Sequence, residues 1–162
     1  MHESIRLLQL QLLVYDFDGV MTDNRVLVMQ DGTEAVFVNR ADGWGVAQLR
    51  KAGFKQLILS TETNVVVSAR AKKLQIEAIQ GSQDKAVDLA LYCRNNSIDL
   101  KNTLYVGNDL NDLDVMCLVG LPVAPADGHP DILKIAKFIT KLNGGAGVIR
   151  EISEILLPGS NR

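Results

Sequence analysis

Five short apolar runs recur along the chain, and each ends in turn-forming or polar residues. They are Leu12–Phe17, Gln56–Ser60, Ile76–Gln80, Thr103–Gly107 and Leu121–Pro125. Their apolar character is continuous rather than alternating, which is typical of parallel strands covered on both faces. Helix-like stretches lie between the runs, at Gly43–Lys51, Asn64–Leu74, Ser82–Asn95 and Asn111–Val119. Ser82 is the expected N-cap of the third helix. This alternation predicts an α/β fold with a doubly wound, mostly parallel, Rossmann-like sheet.

Two further strand-like segments interrupt this alternation directly after the first run. Arg25–Gln30 and Glu34–Asn39 flank Asp31-Gly32-Thr33, which is typical of a hairpin turn. We therefore expect a β-hairpin flap at about residues 24–39, beside the end of the first strand. Its valines either pack on the domain's own core or pair with other subunits. The second interpretation is favoured because a long exposed strand edge promotes aggregation.

The composition, with 47% hydrophobic and 22% charged residues, predicts one globular domain over residues 1–162. A net charge of −2 gives no electrostatic reason to expect nucleic acid or an anionic membrane as a partner. No apolar stretch reaches the roughly 20 residues of a membrane-spanning helix. Cys93 and Cys117 lack metal-ligand spacing. We expect a reduced, cytoplasmic protein.

The first apolar run delivers two carboxylates, Asp16 and Asp18, into a turn at Gly19. Residues two apart in an extended chain point to the same side, so both carboxylates project together where the strand ends. Because neighbouring carboxylates repel, this arrangement calls for a cation or a shifted protonation state. A calcium-binding loop is one alternative, but Val20 and Met21 occupy positions where such a loop needs an oxygen ligand and a glycine.

Polar residues also follow the other predicted strands, and ligands bind at the carboxyl ends of the strands in a sheet of this kind. Besides the two aspartates, the residues expected at this edge are Ser60, Thr61, Glu62, Lys85 and Gly107–Asp112. Together they suit metal-assisted phosphoryl transfer through an aspartyl phosphate, in which a cation and a lysine neutralise the substrate's charge. A second carboxyl group can protonate the leaving group and then activate water.

Each of these residues has a simpler explanation when taken alone. Ser60 is more often a strand-end cap, and Lys85 is more often a solvated helix residue. Their joint arrival at successive strand ends favours a functional site. A signalling receiver domain also combines acidic residues, a hydroxyl and a lysine, but it requires an aspartate at the end of a middle strand. Ser60 and Gln80 stand at such ends here, which argues against a receiver.

The chain resembles the haloacid dehalogenase-like hydrolase superfamily over nearly its whole length. The motifs that carry the resemblance are Asp16-Phe17-Asp18-Gly19-Val20-Met21-Thr22, Ser60, Lys85 and Gly107-Asn108-Asp109-Leu110-Asn111-Asp112. There is no room for a cap domain beyond the hairpin, so the chain is similar to the capless sugar-phosphate phosphatases. That group includes 3-deoxy-octulosonate 8-phosphate phosphatases, relatives acting on nine-carbon ulosonate 9-phosphates, and a phosphatase-like domain fused to some acylneuraminate cytidylyltransferases. The segment Gly144–Glu151 also resembles a glycine-rich turn and Arg-Glu pair of that group.

The resemblance implies a role for each matching residue. Asp16 would be the nucleophile and a metal ligand, and Asp18 the general acid/base with its backbone carbonyl on the metal. Ser60 would bind phosphate, and Lys85 would neutralise the charge of the phosphate and of Asp16. The resemblance also implies Mg²⁺ as the cofactor, a sugar phosphate as the substrate, and a homotetramer in which the hairpins assemble and neighbouring subunits help to close the sites.

One position departs from the family pattern, which has Asp directly after the glycine of the last motif as the third metal ligand. This chain has Asn108 there. An amide oxygen can coordinate Mg²⁺ but supplies no charge, so metal affinity should fall. Asp109 or Asp112 can compensate, either as direct ligands or by supporting the ligands. The alternative is a weakly active or non-catalytic oligomerisation or regulatory module associated with a cytidylyltransferase.

The substrate expected from the resemblance is a phosphorylated ulosonic acid, either a nonulosonate 9-phosphate such as a sialic acid or an octulosonate 8-phosphate. Octulosonate enzymes have Ser-Gly-Arg after the second strand, where this chain has Ser60-Thr61-Glu62. A glutamate here with a lysine eleven residues on looks like the nine-carbon branch, although the pair can also be an exposed helix-surface salt bridge. The candidate substrate-binding residues are Thr61, Glu62, Lys73, Asp42 and Arg150.

Overall fold

The computed structural model describes residues 9–159, in which a parallel sheet lies between two layers of helices. The strands are β1 (Leu12–Tyr15), β2 (Thr22–Val28), β3 (Glu34–Val38), β4 (Lys55–Leu59), β5 (Glu77–Ile79), β6 (Thr103–Val106), β7 (Leu121–Ala124) and β8 (Phe138–Ile139). The helices are α1 (Arg40–Lys51), α2 (Val66–Leu74), α3 (Lys85–Asn95), α4 (Leu113–Leu118), α5 (Pro130–Ile135) and α6 (Val148–Leu156). Short 3₁₀ turns cover Leu100–Asn102 and Leu110–Asp112.

The main sheet has six strands in the order β5-β4-β1-β6-β7-β8, and every neighbouring pair is parallel. The chain adds β4 and β5 on one side of β1 and then crosses to add β6, β7 and β8 on the other. The winding direction therefore reverses beside β1, and its carboxyl end lies where ligands bind in sheets of this kind. The predicted doubly wound α/β fold is confirmed.

The central strand β1 accounts for the helices on both faces, because all of its residues are fully buried. Leu13 and Tyr15 pack in a cluster with residues of α1, α2 and α6, whereas Leu12 and Val14 pack in a second cluster with residues of α3, α4 and α5. A strand that is apolar on both faces can be stable only between two apolar layers. The single-domain prediction for residues 1–162 extends beyond the described range and stays a prediction.

The predicted hairpin is present, and β2 and β3 form a separate antiparallel ribbon directly after β1. Its register shifts between Thr22 and Val26, which is typical of a β-bulge. Val36 and Val38 are partly buried against the core, but Phe37 is 69% exposed. The remaining exposed apolar side chains of the hairpin are Val26, Leu27, Val28 and Met29. The base of the hairpin therefore packs on its own domain, and the rest of it presents an apolar surface.

The third helix begins later than the sequence suggests, and its predicted N-cap is wrong. Asp84 caps the helix, because its side chain accepts a hydrogen bond from the Val87 amide at 3.0 Å. The Ser82 hydroxyl instead donates to Asp88 at 2.6 Å. This makes Lys85 the first residue of the helix rather than the third. No helix among residues 9–159 is long and apolar enough to cross a bilayer.

Helices α1 and α6 pack closely because Gly45 has no side chain at the crossing. A Cβ atom at Gly45 would lie 2.9 Å from both the Arg150 Cα and the Ile149 carbonyl oxygen. One helical turn earlier, Asp42 accepts hydrogen bonds from the amides of Ile149 and Arg150 at 2.9 and 3.0 Å. The Asp42 side chain thus satisfies amides in the first turn of α6, whose own N-cap, Gly147, has no side chain.

A matched pair of substitutions in α1 tests this crossing. Gly45→Ala should lower the free energy of unfolding by about 1–3 kcal/mol, because the new methyl group meets backbone that cannot move aside. Gly43→Ala should leave stability unchanged or raise it by up to about 1 kcal/mol, since its nearest neighbouring atom is 3.6 Å away. Urea unfolding of both variants measures the difference, and equal midpoints would show that the crossing is not tight.

Candidate active site

The carboxyl ends of β1, β4 and β6 border one pocket of about 330 Å³. These strands are neighbours in the sheet, so the polar residues that follow them meet at one edge, as the sequence predicted. The residues that line the pocket are Asp16, Asp18, Asn24, Ser60, Thr61, Asn108, Asp109, Leu110 and Asn111.

Asp16 lies at the bottom of the pocket and is buried. Its Oδ1 atom accepts hydrogen bonds from the Phe17 amide at 2.7 Å and from Lys85 Nζ at 2.9 Å. The Oδ2 atom receives no hydrogen bond within residues 9–159, so this oxygen remains unoccupied by protein donors. Burial raises the pKa of Asp16 to about 8, and the charge of Asp112 adds to the rise while Lys85 opposes it. A further cation in the pocket would favour the ionised, nucleophilic form.

Lys85 lies between two carboxylates beneath the pocket, and its side chain is only 1% exposed. Its Nζ atom is 2.9 Å from Asp16 and 2.7 Å from Asp112. Burial lowers the pKa of Lys85, but the charges of the two carboxylates outweigh that effect and leave the pKa raised. The lysine is therefore a fixed positive charge and not a solvated helix residue.

Asp112 is fully buried and is occupied by protein donors on both oxygens. Oδ1 accepts from Lys85 and from the Tyr105 hydroxyl at 2.8 Å. Oδ2 accepts from the amides of Asn108 at 2.9 Å and Asp109 at 3.3 Å. Asp112 does not line the pocket. Of the two roles considered for it, the geometry favours support of the ligands over direct contact with a metal.

Asp18 is half-buried at the rim of the pocket, on the turn that follows β1. Its Oδ1 atom accepts a hydrogen bond from the Thr22 hydroxyl at 3.1 Å, and that hydroxyl also accepts the Gly19 amide at 3.2 Å. Burial raises the pKa of Asp18, the Thr22 hydrogen bond opposes the rise, and the charge of Glu62 adds to it. A carboxyl group that holds its proton more tightly than usual suits a general acid.

Asn108 presents an unsatisfied oxygen to this region. Its Oδ1 atom is buried and has no hydrogen-bond partner among the residues that the structure describes. The amide packs against Gly19, where a Cβ atom would lie 2.0 Å from Nδ2, so a glycine is required there. Gly19 also has a φ of 75°, which favours glycine. The side chain of Asn108 is therefore confined beside the two aspartates.

These oxygens fit a hard divalent cation such as Mg²⁺, which binds carboxylate, carbonyl and water oxygens. Within residues 9–159 no group of three or more His, Cys, Asp or Glu side chains is arranged to hold a metal. A metal bound here would therefore need the amide oxygen of Asn108 or backbone carbonyls in addition to carboxylates. Asp109 also lines the pocket, but its Oδ1 atom accepts the Leu110 amide at 2.7 Å and caps the 3₁₀ turn.

Ser60 and Thr61 both line the pocket at the end of β4. The Ser60 side-chain oxygen accepts the Glu62 amide at 3.1 Å. The Ser60 backbone is tied to the next loop, because its carbonyl accepts the Ser82 amide at 3.0 Å. The hydroxyl hydrogen of Ser60 is therefore free to point toward a phosphate oxygen.

The other predicted substrate-binding residues are more scattered. Glu62 lines a second pocket of about 260 Å³, which shares Asp18 and Asn24 with the first and is bounded by the hairpin. The Glu62 carboxylate accepts the amides of Thr63 at 2.6 Å and Asn64 at 2.7 Å. These contacts hold it in place without a lysine.

Three of the predicted substrate residues do not line either pocket. Lys73 lies in a groove of about 400 Å³ between α1 and α2, and the ion pairs formed within residues 9–159 do not join it to Glu62. Asp42 is buried beneath α6. Arg150 contacts Glu154 at 2.6 Å and lies over the ring of Trp44 at 6.0 Å. None of these three residues borders the pocket that contains Asp16.

Sequence reasoning missed two residues at or beneath the site, Asn24 and Tyr105. Asn24 lines both pockets and adopts a left-handed conformation with a φ of 64°. The polar run after the glycine turn could have indicated it, since asparagine tolerates that conformation. The sequence indicates only that Tyr105 lies in a strand. Its hydrogen bond to Asp112 could not be predicted, because it depends on the tertiary structure.

Comparison with known proteins agrees with the fold and the motifs. The haloacid dehalogenase-like hydrolase family matches residues 46–152. The chain is 33% identical over 153 residues to 3-deoxy-D-manno-octulosonate 8-phosphate phosphatase of Yersinia pestis, covering 94% of this chain and 82% of that protein.

Solved structures give the same result. A Streptomyces avermitilis protein assigned to the HAD hydrolase family matches with a TM-score of 0.92 and 47% identity, over 94% of this chain and 87% of that one. The Moraxella catarrhalis 3-deoxy-D-manno-octulosonate 8-phosphate phosphatase, solved with magnesium, phosphate and the KDO sugar, has a TM-score of 0.91 at 29% identity, over 96% and 89% of the two chains. The motifs, the sheet and these matches agree, and the chain belongs to the haloacid dehalogenase-like hydrolase family, among its capless sugar-phosphate phosphatases.

Proposed function

We propose that this protein is a Mg²⁺-dependent phosphatase that hydrolyses a phosphorylated ulosonic acid through an aspartyl phosphate. The observation that carries the proposal is the environment of Asp16. One of its oxygens is held by Lys85 and the Phe17 amide, while the other faces a pocket that also contains Asp18 and the unpartnered oxygen of Asn108. A nucleophile, a proton donor and sites for a cation thus lie together.

The chemistry proposed for these residues needs two displacements at phosphorus. Asp16 Oδ2 attacks, the bond between phosphorus and the sugar oxygen breaks, and Asp18 gives its proton to that oxygen. Asp18 then accepts a proton from water, whose oxygen attacks the phosphorus and releases Asp16. Ser60 would bind a phosphoryl oxygen, and Lys85 would offset the charge of Asp16 and of the phosphate from beneath the pocket. Mg²⁺ held by Asp16, the Asp18 carbonyl and Asn108 would neutralise the charge of the phosphate.

The sugar would lie in the second pocket, which opens from the first at Asp18 and Asn24. Its walls offer carboxylate and amide groups from Glu62, Glu34 and Asn64, which suit sugar hydroxyls. The related phosphatases act on octulosonate 8-phosphate. We favour a nonulosonate 9-phosphate such as a sialic acid or its deaminated analogue. The reason is that a glutamate at position 62 with a lysine eleven residues on resembles the nine-carbon branch, whereas octulosonate enzymes have an arginine at position 62.

The proposal includes a homotetramer that assembles through the hairpin. Its exposed apolar side chains would be covered in such an assembly. Lys73 does not border the pocket of its own subunit, so in this proposal it contacts the substrate bound to a neighbouring subunit. A cytidylyltransferase as a further partner, and a cytoplasmic location, remain predictions from the sequence.

Removing the nucleophile tests the reaction. Asp16→Asn should lower phosphate release by at least about a thousandfold, because an amide cannot form the acyl phosphate. Phosphate release with saturating Mg²⁺ measures the effect. Asp131→Asn is the control, since Asp131 is exposed and pairs only with surface groups. If the folded Asp16→Asn protein retained turnover, Asp16 would not be the nucleophile.

Restoring an aspartate at position 108 tests whether this residue binds the metal. Asn108→Asp should tighten Mg²⁺ binding by about tenfold or more, because it adds a negative charge to the ligand set. Calorimetric titration of Mg²⁺ into wild type and variant gives both dissociation constants without any turnover. An unchanged constant would mean that residue 108 does not contact the metal.

Assays on two sugar phosphates distinguish a phosphatase from a non-catalytic module and also identify the preferred substrate. Wild-type protein should release phosphate from sialate 9-phosphate with a higher kcat/KM than from octulosonate 8-phosphate. The reverse order would correct the substrate and leave the phosphatase in place. No release from either sugar phosphate would favour the non-catalytic module, which the uncharged Asn108 makes the second candidate.

A further inference from the structure

Tyr105 is a fully buried strand residue whose hydroxyl reaches the charged residues beneath the pocket. It lies on β6, next to the strand that carries Asp16. Its hydroxyl donates a hydrogen bond of 2.8 Å to Asp112 Oδ1, the same oxygen that Lys85 Nζ contacts at 2.7 Å. Asp112 therefore links the tyrosine to the lysine, and Tyr105 does not line the pocket or form a hydrogen bond to Asp16 within residues 9–159.

Lys85 is shared between two acceptors at nearly equal distances, 2.9 Å to Asp16 and 2.7 Å to Asp112. Its position depends on how strongly each carboxylate attracts it, because all three groups are buried and weakly screened. A hydroxyl that donates to Asp112 Oδ1 offsets part of the charge on that oxygen. Without the hydroxyl, Asp112 would attract Lys85 more strongly and draw it away from Asp16.

We propose that Tyr105 is a positioning residue for phosphoryl transfer, which acts through Asp112 to hold Lys85 Nζ against Asp16. The inference rests on the proposed phosphatase function and adds a residue to it. Tyr105 touches no reacting atom. Its effect belongs to the transition state, where the charge of Lys85 must stand beside the transferring phosphoryl group.

The chain contains a matched control for this role. Tyr15 is also fully buried in the central sheet, and its hydroxyl donates a hydrogen bond of 2.9 Å to Gln56. Its ring packs on the face of the sheet opposite to that of Tyr105. A Tyr→Phe change at either position removes one buried hydrogen bond, but only the change at Tyr105 acts on Asp112.

The experiment compares wild type, Tyr105→Phe and Tyr15→Phe with the same sugar phosphate and saturating Mg²⁺. Both variants should lose similar amounts of thermal stability. Tyr105→Phe should lower kcat by about tenfold, as changes to groups that support ligands do, with KM within about twofold of wild type. Tyr15→Phe should keep the wild-type kcat. Equal kcat values in the two variants would overturn the inference about Tyr105. Turnover by the wild type would still support the proposed phosphatase function.

Two further measurements keep the outcome clear. In an Asp112→Asn background, Tyr105→Phe should cause no additional loss of kcat, because its route through the carboxylate is already changed; an additive loss would contradict that route. If wild type releases no phosphate, the proposed function fails on its own. Crystal structures of the two variants then decide the inference, since only Tyr105→Phe should lengthen the distance from Lys85 Nζ to Asp16.

Discussion

The structure of this site depends on one buried charge, the ammonium group of Lys85 between Asp16 and Asp112. Two carboxylates at this depth would repel each other and lose their hydration, and the lysine compensates for both effects. The same contact, with the Phe17 amide, occupies Oδ1 of Asp16 and leaves Oδ2 without a hydrogen bond among residues 9–159. It also ties the first helical turn of α3 to the ends of β1 and β6, so the fold and the reactive geometry rest on the same three side chains.

A single lysine does not neutralise the whole group. Burial still raises the pKa of Asp16 to about 8, and that of Asp18 is raised as well. The excess negative charge is what makes this edge of the sheet suitable for a divalent cation. Asn108 stands where the family has an aspartate, so this pocket carries one negative charge less and is expected to bind a metal more weakly. The confinement of the Asn108 amide against Gly19 keeps its oxygen in place nonetheless.

Much of the site was predictable because the carboxyl ends of neighbouring parallel strands must meet. Asp16, Asp18, Ser60 and Asn108 follow buried strands directly, so their convergence needed only the strand order. The role of Asp112 was not predictable. It lies on a short 3₁₀ turn, where a small rotation decides whether a carboxylate faces the pocket or the amides of its own loop.

Residues far from the strand ends were harder to place. Asp42 and Arg150 meet through the α1–α6 crossing, and the pattern of the sequence contains no sign of it. Lys73 points into a groove on a different part of the domain. The N-cap of α3 was misplaced because Ser82 and Asp84 are both good capping residues, and only the tertiary contact of Ser82 with Asp88 distinguishes them.

The central claim is that Asp16, held by Lys85, carries the phosphoryl group during turnover. The most direct measurement is rapid acid quenching of the reaction, borohydride reduction of any acyl phosphate, and mass spectrometry of the peptide that contains residue 16. The account predicts homoserine at position 16, formed only with substrate present. Reduction at another residue, or no reduced residue while phosphate is being released, would contradict it.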